Sequence, residues 1–134
     1  MDWFCINLIS GYFCNYFVIL WGCYMSRSIH VTCFDGTYVD VVEDVIGHVK
    51  KRHSEVFSSL GLDEEGLFIL LCDVLKKPSE VYADSFGSKY FLRQYLENLY
   101  LCIIVDEGAV RTSYLINRKT YSRMRRRRWL RRLC

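Results

Sequence analysis

The chain has 134 residues, a single proline and 51% apolar residues, enough to bury the core of one domain and too hydrophobic for a disordered one. Its net charge of +3 hides two opposed segments: residues 1–117 hold all 15 acidic groups against nine Lys/Arg, a net of −6, and residues 118–134 hold nine Lys/Arg and no acid. An acidic body with a basic end meets a polyanion first through that end.

Seven cysteines form no C-x-x-C pair, which argues against a zinc ribbon or a dithiol redox centre. Cys33, Cys72 and Cys102 sit in apolar runs and read as small core residues. An odd count without a cleavable signal favours a reducing interior, so a cytoplasmic location is expected.

Residues 3–25 carry no charge and are long enough to span a bilayer. They lack a basic leading region and a small-residue cleavage site, so a cleaved signal peptide is not expected. Three readings stay open: a dispensable extension before a true start at Met25, a membrane anchor leaving the domain in the cytoplasm, or a packed helix. Ser28–Phe34 and Tyr38–Val42 are β-rich runs around Asp35-Gly36-Thr37, a hairpin with Gly36 supplying positive φ. Val42–Leu60 then repeats apolar residues at three- and four-residue steps, predicting one amphipathic helix closed by Gly61. A second helix starts at Asp63-Glu64-Glu65, carries Leu67, Leu70, Leu71, Val74 and Leu75 inward, and stops at Lys76-Lys77-Pro78. Four strand candidates follow: Glu80–Ser85, Lys89–Leu96, Leu99–Asp106 and Ala109–Ile116. Leu101–Val105 is the most apolar run and the expected central strand.

Sequential strands with short turns imply an antiparallel meander. The expected fold is therefore α+β: an N-terminal hairpin and two helices packed on a four-stranded antiparallel sheet. It is flanked by the hydrophobic segment 1–25 and the Arg-rich tail 118–134, with the domain at 26–117.

One feature of the first helix is anomalous. His48, Arg52 and His53 interrupt or border its apolar stripe where an ordinary core helix carries leucines. At about 100° per residue, His48 and Arg52 lie about 40° apart, one turn from each other. The competing reading is a hydrogen-bonded core histidine beside a solvated face. The basic tail attracts phosphate regardless of sequence, through Arg123, Arg125, Arg126, Arg127 and Arg128, and Trp129 can stack on bases. A solubilising or anionic-lipid-binding tail has the same composition.

The order of elements, with His-x3-Arg-His-x-Glu at His48–Glu55, a helix followed by Lys77–Val81, and Thr-Ser-Tyr at Thr112–Tyr114, resembles the phage- and toxin-associated nucleases of the barnase/EndoU/colicin/RelE-like fold. The resemblance covers about residues 28–117. Ser54 stands where proline is common in these families, and Ser113 where alanine is common.

The resemblance implies a metal-independent endoribonuclease needing no cofactor, with RNA as substrate and a cognate antitoxin or immunity protein as partner. The residue types suit that chemistry. A near-neutral histidine moves a proton, an arginine fork grips a phosphate, and hydroxyls stabilise developing charge. The expected roles are His48 as general base or acid, Arg52 as phosphate clamp and Arg93 as a second clamp. Thr112 and Tyr114, on one face of the last strand, are expected to donate to phosphate, and His53 to orient Arg52 or tie the helix to the sheet. The alternative is a non-catalytic protein binding nucleic acid or an anionic membrane through its Arg-rich tail. No P-loop, G-x-G-x-x-G, H-E-x-x-H or nucleophile elbow is present.

Overall fold

A computed structural model describes residues 27–134. The three readings of residues 1–25 lie outside the described residues. Among the described residues, no helix is long and apolar enough to cross a membrane. In chain order the elements are β1 (Ser28–Thr32), β2 (Tyr38–Val42), α1 (Asp44–Arg52), α2 (Glu55–Leu60), α3 (Glu64–Lys76) and β3 (Glu80–Ala83). They continue with β4 (Lys89–Leu96), β5 (Leu99–Asp106), β6 (Ala109–Asn117), α4 (Arg118–Arg127) and β7 (Arg131–Arg132).

Local chemistry accounts for most of these boundaries. The β1–β2 hairpin turns at Gly36, whose φ of 86° costs an L-residue strain. Asp35 Oδ1 accepts hydrogen bonds from the Thr37 amide and hydroxyl at 3.1 and 2.7 Å. In α3, Asp63 Oδ1 accepts the Gly66 amide at 2.7 Å, capping a helix whose Leu67, Leu71, Val74 and Leu75 are all buried. Gly61, at φ 65°, closes α2 in the left-handed conformation.

The α+β class holds, but the expected four-stranded antiparallel sheet does not. Among the described residues the sheet has seven strands, is mixed and curled, and runs β1-β2-β6-β5-β4-β3-β7. Strands β3 to β6 form the expected antiparallel meander. The hairpin is not a separate layer: β2 docks parallel to β6 through Asp40 and Ala109, with the Asp40 amide on the Gly108 carbonyl at 2.9 Å. At the opposite edge β7 pairs with β3. Both additions cover strand edges that would otherwise leave a row of backbone groups unpaired. Strand β5, carrying Leu101–Val105, is the middle strand of the seven.

The single helix expected over Val42–Leu60 is two. His53 leaves the helical region at φ −137°, its amide bonded to the Val49 carbonyl at 2.7 Å, and Ser54 opens α2. Nothing in the local sequence dictates that break; it lets both short helices pack against β6.

The sheet is buried on both faces. On one, α1, α2 and α3 cover an aliphatic core that includes Val49, Val56, Leu71, Leu75, Leu101 and Ile103. On the other, α4 and the segment after it cover Tyr82, Tyr90, Leu92, Tyr100, Cys102 and Ile116 with Tyr121 and Trp129. Residues 118–134 are thus packed onto the sheet as α4 and β7. Cys33, Cys72 and Cys102 are buried free thiols, as their apolar runs imply.

Candidate functional site

Thr112 and Tyr114 share a face of β6 by ordinary alternation, and an irregularity just before them decides which face it is. Val105 pairs with Val110, yet Ile104 pairs with Thr112, so Arg111 is an extra residue in β6. The bulge resets the alternation: Val110 joins the aliphatic core, whereas Tyr114 packs with the aromatic cluster and Thr112 sits opposite Ile104 of that cluster. Ser113, between them, is fully buried.

The histidines come to this strand from the end of α1. Lys50, Lys51 and Arg52 occupy the last turn, where cations oppose the negative end of the helix dipole. The break after Arg52 places His53 at the corner between α1 and α2. Its ring meets Tyr114 edge-on, with centroids 5.3 Å apart and planes at 88°. His48, one turn back and exposed, has its ring 6.2 Å from that of His53. His53 Nδ1 lies 3.9 Å from a Glu55 carboxylate oxygen. Arg52 is exposed beside them and makes no ion pair with any described residue. His48, His53 and Tyr114 are thus brought together from segments about sixty residues apart, with Arg52 next to His53 in the chain and Thr112 two residues from Tyr114 on β6.

Tyr114 is pushed above the ordinary tyrosine value, first by burial and then by Cys102 and Tyr90 beside it. Its hydroxyl therefore stays protonated across neutral pH and can only donate or accept a hydrogen bond. Thr112 Oγ1 is buried and has no hydrogen-bond partner.

Arg93 is elsewhere. Its guanidinium donates to Asp73 Oδ2 at 2.9 Å and to the Lys77 carbonyl at 2.6 Å, fastening the C-terminal end of α3 to β4. A cation there satisfies orphan carbonyls and the helix dipole, a structural task on the aliphatic side of the sheet.

The Arg-rich segment is divided by its packing. Asn117 caps α4 by accepting the Thr120 amide at 2.8 Å. Tyr121 stacks on Tyr100 with centroids 4.5 Å apart and donates its hydroxyl to Glu80 at 2.6 Å. Arg125 donates to the Tyr121 hydroxyl at 3.2 Å and lies over the Tyr82 ring. Trp129 is only 5% exposed and stacks on Tyr82 with centroids 4.7 Å apart and planes within 6°. Its ring, expected to stack on bases, instead anchors the chain end. Arg123, Arg126 and Arg127 face solvent, and Arg128, also exposed, borders a cleft together with Tyr90.

Tyr90, Phe86 and Glu80 are not singled out by the sequence. The available signal is the recurrence of Tyr82, Tyr90, Tyr100 and Tyr114 on successive strands, which marks a face richer in hydroxyls than a core needs. Among the described residues, no three His, Cys, Asp or Glu side chains are grouped to hold a metal ion. No family model matches the chain, and neither a curated protein nor a solved structure matches it.

Proposed function

We propose that this protein is a metal-independent, toxin-like endoribonuclease that cleaves RNA by attack of a ribose 2′-oxygen on the adjacent phosphate. The observation that carries the reading is the edge-on contact of His53 with Tyr114, which ties the His48/Arg52/His53 corner to the hydroxyl-bearing face of β6. His48, exposed and next to His53, takes the 2′-hydroxyl proton. The freed oxygen bonds to phosphorus, and the bond to the 5′-oxygen breaks. The leaving oxygen takes a proton from the imidazole of His53, which lies against Tyr114 on β6. Arg52 holds the non-bridging oxygens, and the Thr112 and Tyr114 hydroxyls donate as charge grows on them. The products are a 2′,3′-cyclic phosphate and a 5′-hydroxyl end.

A cytoplasmic location and neutralisation by an antitoxin or immunity protein belong to this proposal. A second reading, binding of nucleic acid or anionic membrane without cleavage, is favoured by the solvent-facing Arg123, Arg126 and Arg127.

The test is incubation of the 134-residue protein with end-labelled RNA in EDTA, beside His48→Ala and Arg52→Ala proteins of matched circular dichroism. Cyclic-phosphate ends should form, with rates falling roughly 10²–10⁴-fold in His48→Ala. An all-deoxy strand should stay intact for want of the nucleophile. Salt-sensitive RNA binding without cleavage by any of the proteins would leave the second reading.

A further inference from the structure

Along β6 from Tyr114, on the same face, a cleft of about 350 Å³ opens between the bulged end of β6, the β3–β4 turn and the end of α4. Thr112 and Ile104 line it from the sheet, Tyr90 and Arg128 from one side, and Phe86 from the turn. Three of its features are hard to explain as packing.

The Phe86 ring is 84% exposed. It stands on a stiff turn, because Asp84 Oδ1 accepts the amides of Phe86 at 2.9 Å and Ser88 at 3.0 Å. A single exposed phenylalanine is ordinary, but this one borders a polar cleft. Arg128, at the C-terminal end of α4, lines the cleft wall beside Tyr90 and brings a guanidinium with five donors to it. The Thr112 hydroxyl lacks a partner although it is buried, a cost that a native protein ordinarily avoids.

The charge in the cleft decides between ligand classes. Asp106 is paired with Arg111 at 2.9 Å and accepts the Ser88 hydroxyl at 3.3 Å. Asp84 is committed to its own turn and to the Tyr90 hydroxyl at 2.9 Å. Two carboxylates against two guanidiniums give no net charge, so the cleft does not attract a bare anion. It suits a flat uncharged ring with hydrogen-bonding edges, joined to a single phosphate within reach of Arg128.

We infer that this cleft is a nucleobase subsite. A base of the RNA stacks on Phe86 with an edge toward Thr112, and Arg128 holds the phosphate attached to it. The inference rests on the ribonuclease reading for its substrate and places the nucleotide beside the cleavage site. Thr112 lies two residues along the strand from Tyr114, about 6–7 Å.

The probe is a dinucleotide with a 2′-deoxy sugar at its cleavable step, titrated into the 134-residue protein and followed by the amide resonances of Phe86, Ser88 and Thr112. Saturable shifts of these resonances are expected. Phe86→Ala and Arg128→Ala should each weaken binding about tenfold, the scale of one base–aromatic stack. Phe86→Trp should retain it. Lys119→Ala, which removes one exposed charge from α4, should bind as the parent does. Both site residues are exposed, so the variants should fold, and matched circular dichroism checks this.

Absence of binding, binding indifferent to both substitutions, or equal affinity for inorganic phosphate would overturn the subsite. Failure of the ribonuclease reading gives a different result: His48→Ala would then bind the dinucleotide and have no cleavage activity to lose.

Discussion

The two faces of the sheet are built from different chemistry. On the helix-covered face, valine, leucine and isoleucine interlock beneath α1–α3, and their burial is the ordinary hydrophobic stabilisation of a core. On the other face, tyrosines and Trp129 stack under an arginine-rich helix, and hydrogen bonds from Tyr82 and Tyr121 to Glu80 fasten the layer. Aliphatic side chains have no polar atom to satisfy, so that core packs without needing hydrogen-bond partners. Aromatic rings with hydroxyls pack while keeping polar ends that need partners. The cleft on the aromatic face is accordingly rich in polar groups, and Thr112 and Arg128 line it.

The largest test of that contrast is a pair of truncations. Leu101→Ala, in the central strand, should cost about 2–5 kcal/mol, and Trp129→Ala about 3–5 kcal/mol, both read from urea unfolding. Their patterns should differ. Trp129→Ala should open Arg123–Arg128 to trypsin while the rest of the sheet resists, whereas Leu101→Ala should sensitise the whole chain. Identical digestion patterns would mean that the two faces unfold as one unit.

Arg93→Ala tests the aliphatic side more gently. Loss of its bonds to Asp73 and Lys77 should cost about 1.5–3 kcal/mol, toward the lower end because Asp73 is half-exposed. A fall in RNA cleavage beyond the loss of folded protein would return Arg93 to the catalytic set.

The smallest effect is on pH dependence. Burial, then the Glu80 carboxylate, raises Tyr82 above the ordinary value of 10.0, and burial raises Tyr114 likewise. The unfolded tyrosines ionise first, so the folded state binds more protons above that value and stability falls as pH rises. Below it these groups add no pH dependence. The urea midpoint should drop from about pH 9.5 to about pH 11, and drop less in Tyr82→Phe. An equal drop in both proteins would mean that Tyr82 is not part of the effect.

Much of this architecture is legible in local pattern. The α3 boundaries follow from Asp63 and the Lys-Lys-Pro stop, β4 and β5 from their alternation and short turns, and the centrality of β5 from apolar residues on both its faces. The histidine–arginine corner is legible as a flaw in an apolar stripe. Three features are not. The bulge at Arg111 separates Val110 from Thr112 although both sit at even steps, because one inserted residue inverts every face after it. The break at His53 has no breaker residue. The role of the Arg-rich end is hidden because charge composition reads as a solvated tail, while Tyr121 and Trp129 supply too few apolar residues for a recognisable stripe.

By itself the sequence determined the α+β class, the N-terminal hairpin, the helix from Asp63 to the Lys-Lys-Pro stop, the meander from β3 to β6 and the residue types capable of phosphate chemistry. All of these rest on hydrophobic periodicity and turn residues, which act over a few neighbours. The tertiary structure alone decided that the hairpin joins β6 in parallel, that α4 and β7 close the second face, and which arginines are committed to packing and which are free. Those outcomes depend on which strand edges and faces remain uncovered once the sheet has formed, and no local stretch of sequence encodes that.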